Sequence, residues 1–488
     1  MLTRIWNRLR SVVAPALLLF AVNACGDASY GAFDSTLGAT PGGAQDIGKA
    51  RAVINGGGIP TAEDFTPEGL YSEHDLVIAN APPCGKTLCV NTAAGLEFGI
   101  DDEKRDIFVQ LGMQSSISAT EFKRKPLNLG IVIDTSGSMS GLLDELKAAL
   151  RTLVDNLRPD DRVAIIEFAS SANTIISSTL VSDKDELHSA IDDLATGGST
   201  SLEEGMMLGY GEIDDFVDPK TLSRLMVFTD AMPNVGATDV GSFQSMVKAA
   251  AAHDIGFTFF GFGASFDAAF VDQISHLRGG NYRFVGPKDV KQIFEEELDF
   301  LVTPLAYDLR VSTKAAEGTA LATVYGVPGA EDHVNGALID VTTVFLSKRK
   351  GGIVLRFDGT NVESLTNGSM YDIGSVDLSY ETPEGVVEMD TLPMTLPFVT
   401  PPLATEALYP NASMKRTVAV TNQYLVMKTV CEAYHTGSFD PTDAMARLDK
   451  VIAALTDADS TLNDPNLKRE IALLQKLKSN LGLSGGAP

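Results

Sequence analysis

Residues 131–139 read Ile131-Val132-Ile133-Asp134-Thr135-Ser136-Gly137-Ser138-Met139, an apolar run that stops on a carboxylate and spills two serines into a small-residue loop. The apolar half is short, β-branched and continuous, as a strand buried on both faces must be. The polar half sets one carboxylate and two hydroxyls at alternating positions, and Gly137 permits the tight backbone that turns them toward one point. Oxygen donors of this kind suit Mg²⁺, Mn²⁺ or Ca²⁺ rather than zinc. Three ligands do not fill an octahedral shell, so the cluster predicts further ligands from elsewhere in the chain.

Two later segments can supply them. Gly197-Gly198-Ser199-Thr200-Ser201-Leu202 is a flexible loop entering a helix, with Thr200 as the candidate hydroxyl. Thr200 also has the chemistry of a helix N-cap, and Ser199 is a competing hydroxyl. Arg224-Leu225-Met226-Val227-Phe228-Thr229-Asp230 is a second apolar strand ending on an acid. If the two strands are parallel neighbours, Asp134 and Asp230 meet at one crevice, where two carboxylates without a cation would repel.

The Asp-x-Ser-x-Ser loop at 134–138, the Gly-Gly-Ser-Thr turn and the Thr-Asp ending at 230, in this order, resemble the metal-ion-dependent adhesion site of von Willebrand factor type A (vWA) domains. The resemblance implies that Asp134, Ser136, Ser138, Thr200 and Asp230 are the ligand set, partly through water, for Mg²⁺ foremost, with Mn²⁺ or Ca²⁺ as alternatives. It also implies a protein partner whose exposed Asp or Glu completes the cation shell. One departure is that the usual Asp-Gly is Asp230-Ala231 here, followed by Met232-Pro233-Asn234-Val235-Gly236.

Around this site, residues 126–304 read as an α/β unit, Rossmann-like and doubly wound with a mostly parallel sheet. Leu142, Leu143, Leu146, Leu150, Leu153, Val154 and Leu157 recur at helical spacing. Strands are expected at 162–168, 223–228 and 255–262, with helices near 183–194, 200–213, 242–253, 268–277 and 289–302. Strand-like runs at 106–118 and across 305–401 predict that β segments on both sides of the α/β unit form one sandwich. Residues 402–488 turn helical, as a hairpin or small bundle.

The amino terminus carries Arg4, Arg8 and Arg10 before the apolar run Val12–Val22, ending Ala24-Cys25-Gly26. This is the layout of a secretory signal over 1–24. With a cysteine at the cut it resembles a bacterial lipoprotein signal, which implies lipidation at Cys25 and anchoring in the cell envelope; an ordinary signal peptide cut near Ala24 is the alternative. Residues 25–50, rich in small and polar residues, are expected to be a flexible linker, and 51–125 an amino-terminal segment with strands. Cys84 and Cys89 could close a short disulfide in an oxidising compartment, whereas Cys431 falls in helical apolar periodicity and reads as a buried thiol.

The net charge of −26 becomes three units more negative once residues 1–24 leave, a surface that repels nucleic acid and anionic lipid. No later stretch has the unbroken apolar length of a membrane span, so membrane contact is expected only through the anchor. The full layout resembles bacterial vWA lipoproteins, and the α/β part with Pro126-Leu127-Asn128-Leu129 is similar to inter-alpha-trypsin inhibitor heavy chains. A binding module, not an enzyme, is therefore the expectation. The alternatives are a structural envelope protein with a fold-stabilising cation, and a hydrolase. Against the last, no histidine lies near Ser136 or Ser138 in sequence, and no Gly-x-Ser-x-Gly or His-Glu-x-x-His appears.

Overall fold

A computed structural model describes residues 36–98, 100, 105–230, 233–263, 265–286, 289–328, 338–358, 370–396 and 407–483. The chain opens with β1 (Thr36–Pro41), β2 (Gly43–Ala44), α1 (Gly48–Asn55) and α2 (Pro67–Ser72), then pairs β3 (Cys89–Phe98) with β4 (Arg105–Ser118). The α/β block follows as β5 (Leu127–Asp134), α3 (Leu143–Asn156), β6 (Arg162–Phe168), β7 (Ala172–Leu180), α4 (Lys184–Asp192), α5 (Leu202–Asp214), β8 (Leu222–Thr229), α6 (Val240–Ala251), β9 (Ile255–Gly261), α7 (Ala268–Ser275), β10 (Gly280–Phe284) and α8 (Leu298–Leu301). Strands return as β11 (Pro304–Ala315), β12 (Leu321–Tyr325), β13 (Ile339–Ser347), β14 (Gly352–Asp358), β15 (Tyr371–Glu381) and β16 (Val387–Leu396). Three helices close the described chain: α9 (Ala412–Thr436), α10 (Pro441–Leu462) and α11 (Pro465–Leu483).

The α/β sheet has the order β2-β10-β9-β8-β5-β6-β7, parallel except at the β6/β7 edge. All eight residues of β5 are buried because helices cover both faces. Ile131 and Ile133 pack with α3 on one side, and Val132 packs with α5 and α6 on the other. From β5 the chain moves to β6, then crosses back to β8 on the opposite flank of β5. That reversal leaves a crevice at the carboxyl ends of β5 and β8, where ligands bind in open parallel sheets.

The second sheet is antiparallel, in the order β12-β14-β4-β1-β13-β11-β15-β16, with β3 also paired to β4. Strands from before and after the α/β block share one apolar core, as expected, but they form one continuous nine-stranded sheet rather than the two packed sheets of the expected sandwich. The segments 51–125 and 305–401 are therefore interleaved halves of one body rather than successive units. Lys86 pairs with Asp390, and Tyr380 donates to the Leu88 carbonyl, tying β16 and β15 back over the start of β3.

Residues 36–50 overturn the expected linker. β1 lies between β4 and β13 inside the antiparallel sheet, β2 extends the α/β sheet, and α1 packs beneath the closing helices. Small residues misled the composition argument, because a central strand can be small where its neighbours crowd it. A side chain at Gly38 would collide with the Arg349 carbonyl at 2.2 Å. Residues 25–35, including Cys25, and the signal-like stretch 1–24 lie outside the described residues.

Sequence pattern also fails to show the polar edge strand β7, whose faces are half-buried at most, the five-residue β10, and β12. Near the end of the α/β block, the expected helix 289–302 is a π-helical turn at Gln292–Glu297 running into α8. Cys84 and Cys89 are joined as a disulfide with Cα atoms 5.6 Å apart. Cys431 is a buried free thiol, its pKa pushed by burial up to about 12.

Candidate metal centre at the strand-end crevice

β5 ends at Asp134 and β8 at Thr229, in register such that Ile133 faces Phe228. Asp134 and Asp230 therefore stand side by side at the crevice, and both are fully buried. The Asp134 carboxylate is held at both oxygens: Ser136 N–H donates to Oδ1 at 2.9 Å, and the Thr229 hydroxyl donates to Oδ2 at 2.7 Å. Burial pushes its pKa up to about 6 against those hydrogen bonds, and the Asp230 charge adds to the rise. Asp230 is held less completely. Its Oδ1 is buried without a hydrogen-bond partner among the described residues, and its Oδ2 meets the Ser265 hydroxyl only at 3.5 Å.

The serine loop is short because Gly137–Gly141 forms a 3₁₀ turn before α3, with Met139 buried beneath it. Ser136 is buried and Ser138 exposed, and their hydroxyls lie 3.0 Å apart, so the cluster reaches from the interior to solvent. The threonine loop is laced to it by backbone: Gly137 N–H donates to the Gly198 carbonyl and Gly197 N–H to the Thr135 carbonyl. Gly198 adopts φ +81°, and a Cβ there would fall 2.6 Å from the Ser170 hydroxyl, so this turn requires glycine. α5 begins at Leu202 after Ser201, so Thr200 is not its N-cap.

Asn234, which carries no signal of its own in the sequence motifs, joins the third loop to the second. Its Oδ1 accepts from Thr200 N–H at 2.8 Å and its own N–H donates to the Thr200 carbonyl at 3.0 Å. Glu203 continues the clamp by accepting from Ala237 N–H. Asn234 was visible only as an amide residue soon after the Thr-Asp ending, with no pattern to give it a partner. Ala231 and Met232 lie outside the described residues. Three loops, carrying Asp134, Ser136 and Ser138, then Thr200, then Asp230, are thus bound to one another at the switch point of the sheet.

The stretch 128–296 matches the family model of the von Willebrand factor type A domain. Residues 128–296 form a vWA domain. Among curated relatives, the uncharacterized protein YfbK of Escherichia coli K12 is 29% identical over 245 residues, covering 48% of this chain and 41% of the relative. Mouse inter-alpha-trypsin inhibitor heavy chain H2 is 24% identical over 204 residues, 40% of this chain and 22% of the relative. The chain spans less than half the length of these relatives. A solved von Willebrand factor type A protein from Catenulispora acidiphila covers 82% of this chain and 91% of its own at 14% identity with a TM-score of 0.50. That likeness concerns the fold, and it reaches beyond the vWA domain into the flanking parts.

Proposed function

We propose that this chain is an exported, lipid-anchored bacterial binding protein whose vWA domain holds a divalent cation and uses it to grip a carboxylate of a protein partner. The carrying observation is the pair of fully buried carboxylates at adjacent strand ends, one with an oxygen that no group among the described residues satisfies. A buried carboxylate oxygen without a partner costs several kcal/mol, of the order of 1–3 for a neutral group and more when charged. A cation removes that cost. Asp134, Ser136, Ser138, Thr200 and Asp230 would hold it, partly through water, and an all-oxygen set favours Mg²⁺, with Mn²⁺ or Ca²⁺ as alternatives. The cation would supply a Lewis-acidic face toward solvent, and an Asp or Glu of the partner would complete its shell.

Two observations favour binding over the other readings. Backbone bonds between the 135–137 and 197–198 loops already fasten the crevice, so a cation is not needed to assemble it. Histidines 74, 188, 253, 276 and 435 each lie beside groups away from the crevice, leaving no base beside Ser136 or Ser138 among the described residues. Export and anchoring rest on the signal-like run ending at Cys25. Titration calorimetry of Mg²⁺ and Mn²⁺ into the purified chain tests the centre: uptake of one equivalent is expected, and no heat with either ion or with Ca²⁺ would falsify it. Radiolabelled fatty acid should enter the wild type and not Cys25→Ser; label retained in that variant removes the anchor.

A further inference from the structure

We propose that Glu68, Asp272 and His276 form a second cation site, for a first-row transition ion of the zinc type, which clips the amino-terminal helix α2 to α7 of the vWA domain. Glu68 is the second residue of α2 and is only 3% exposed. Asp272 and His276 are four residues apart at the end of α7, a spacing that puts both on one helix face. One donor atom from each of the three lies within 4.8 Å of the other two, and among the described residues no other trio of His, Cys, Asp or Glu does so.

Two carboxylates, Glu68 and Asp272, share one imidazole here, so a single ion pair leaves one of them without a counter-charge. His276 Nε2 and Asp272 Oδ1 form an ion pair at 2.9 Å, with side chains 24% and 19% exposed, and Glu68 is the second carboxylate beside them. An imidazolium would neutralise one of the two carboxylates, whereas a divalent ion neutralises both and leaves the imidazole as a neutral ligand. The surroundings hold the His276 backbone and crowd its ring. The Thr342 hydroxyl donates to the His276 carbonyl at 2.6 Å, and Gly43, at φ +80°, presents bare backbone where a Cβ would sit 3.0 Å from the ring Cδ2.

One imidazole nitrogen with two carboxylate oxygens is a zinc-type donor set, unlike the all-oxygen set of the first crevice. Ligands about 2.0–2.2 Å from Zn²⁺ lie roughly 3.3–3.5 Å from one another, so a small side-chain rotation brings these three into range. The ion would join elements far apart in the chain and hold the segment that threads both sheets.

The test uses zinc chloride alone as probe and the full chain carrying Asp134→Ala, which disables the first crevice and keeps the two proposals separable. Calorimetry should show one zinc equivalent, and adding His276→Gln should weaken it at least tenfold; Glu68→Gln should do the same from the other helix. The zinc-induced rise in melting temperature should vanish with both. Cobalt in place of zinc should give visible ligand-field bands that His276→Gln alters. Zinc uptake undiminished by either substitution, or no uptake by the Asp134→Ala chain, overturns the site and leaves the first crevice untouched. If His276→Gln does not fold, Glu68→Gln alone decides between these outcomes.

Discussion

Two clusters of buried acid lie at opposite ends of β5, and the protein treats them differently. At the amino end, Asp161 is fully buried but answered: Arg124 binds it through two nitrogens at 2.7 Å, and the Leu127 and Arg158 N–H groups complete its shell. Asp299 extends the pair by accepting from Arg124 and Arg158. At the carboxyl end, Asp134 and Asp230 are buried equally deeply, and among the described residues no lysine or arginine is bonded to either and one Asp230 oxygen has no partner. Burial alone therefore does not separate a structural acid from a functional one. The separating property is whether the chain supplies the counter-charge itself.

Breaking the answered end should cost most. Arg124→Ala strands Asp161 in the interior, and urea denaturation should show a loss of about 3–5 kcal/mol; a loss below about 1 kcal/mol would mean the pair does not anchor this end of the strand. At the unanswered end, Asp134→Ala should abolish cation uptake, at least 100-fold or about 2.7 kcal/mol of binding free energy, while circular dichroism stays near wild type. Retained affinity in that variant would show that the carboxyl end, too, is structural.

The pH dependence sharpens the contrast. An aspartate raised from 3.8 to about 6 binds its proton more tightly in the folded chain, so the cation-free protein should lose stability as pH rises between those values. Cation binding needs the ionised form, and affinity should fall about tenfold per pH unit below about 6. An affinity flat from pH 7 to 5 contradicts this. The smallest effect is expected at Asn234→Ala, which removes one hydrogen bond to Thr200 and should weaken cation binding about fivefold, near 1 kcal/mol. Calorimetry on that variant shows whether the loop clamp tunes the centre or only decorates it.

Much of the α/β block is legible in residue order alone. Ile131-Val132-Ile133 and Leu225-Met226-Val227-Phe228 are buried on both faces, so their apolar runs are continuous and end sharply at the acids. β7 is not legible, because an antiparallel edge strand with half-solvated faces carries Asn, Ser and Thr where a core strand carries Ile and Val. β1 is hidden for the opposite reason: it is buried, but close neighbours admit only small residues, and Thr-Leu-Gly-Ala-Thr-Pro looks like a spacer.

The candidate centre divides the same way. Asp134, Ser136 and Ser138 share one loop, so their chemistry survives in local spacing, and the Thr-Asp ending marks the second acid. Asn234, Glu203 and Thr229 act through partners 34 or 95 positions away, and nothing local announces them.

The sequence by itself determined the donor chemistry: which oxygens are available, on which strand ends, and that hydrophobic runs of strand length would carry them into a parallel sheet. Only the tertiary structure decided which acids would be left without a counter-charge. It also decided that residues 36–50 would stitch two sheets together instead of hanging free. The physical reason is that apolar periodicity is a local property of the chain, whereas charge compensation and close packing depend on what distant segments bring alongside.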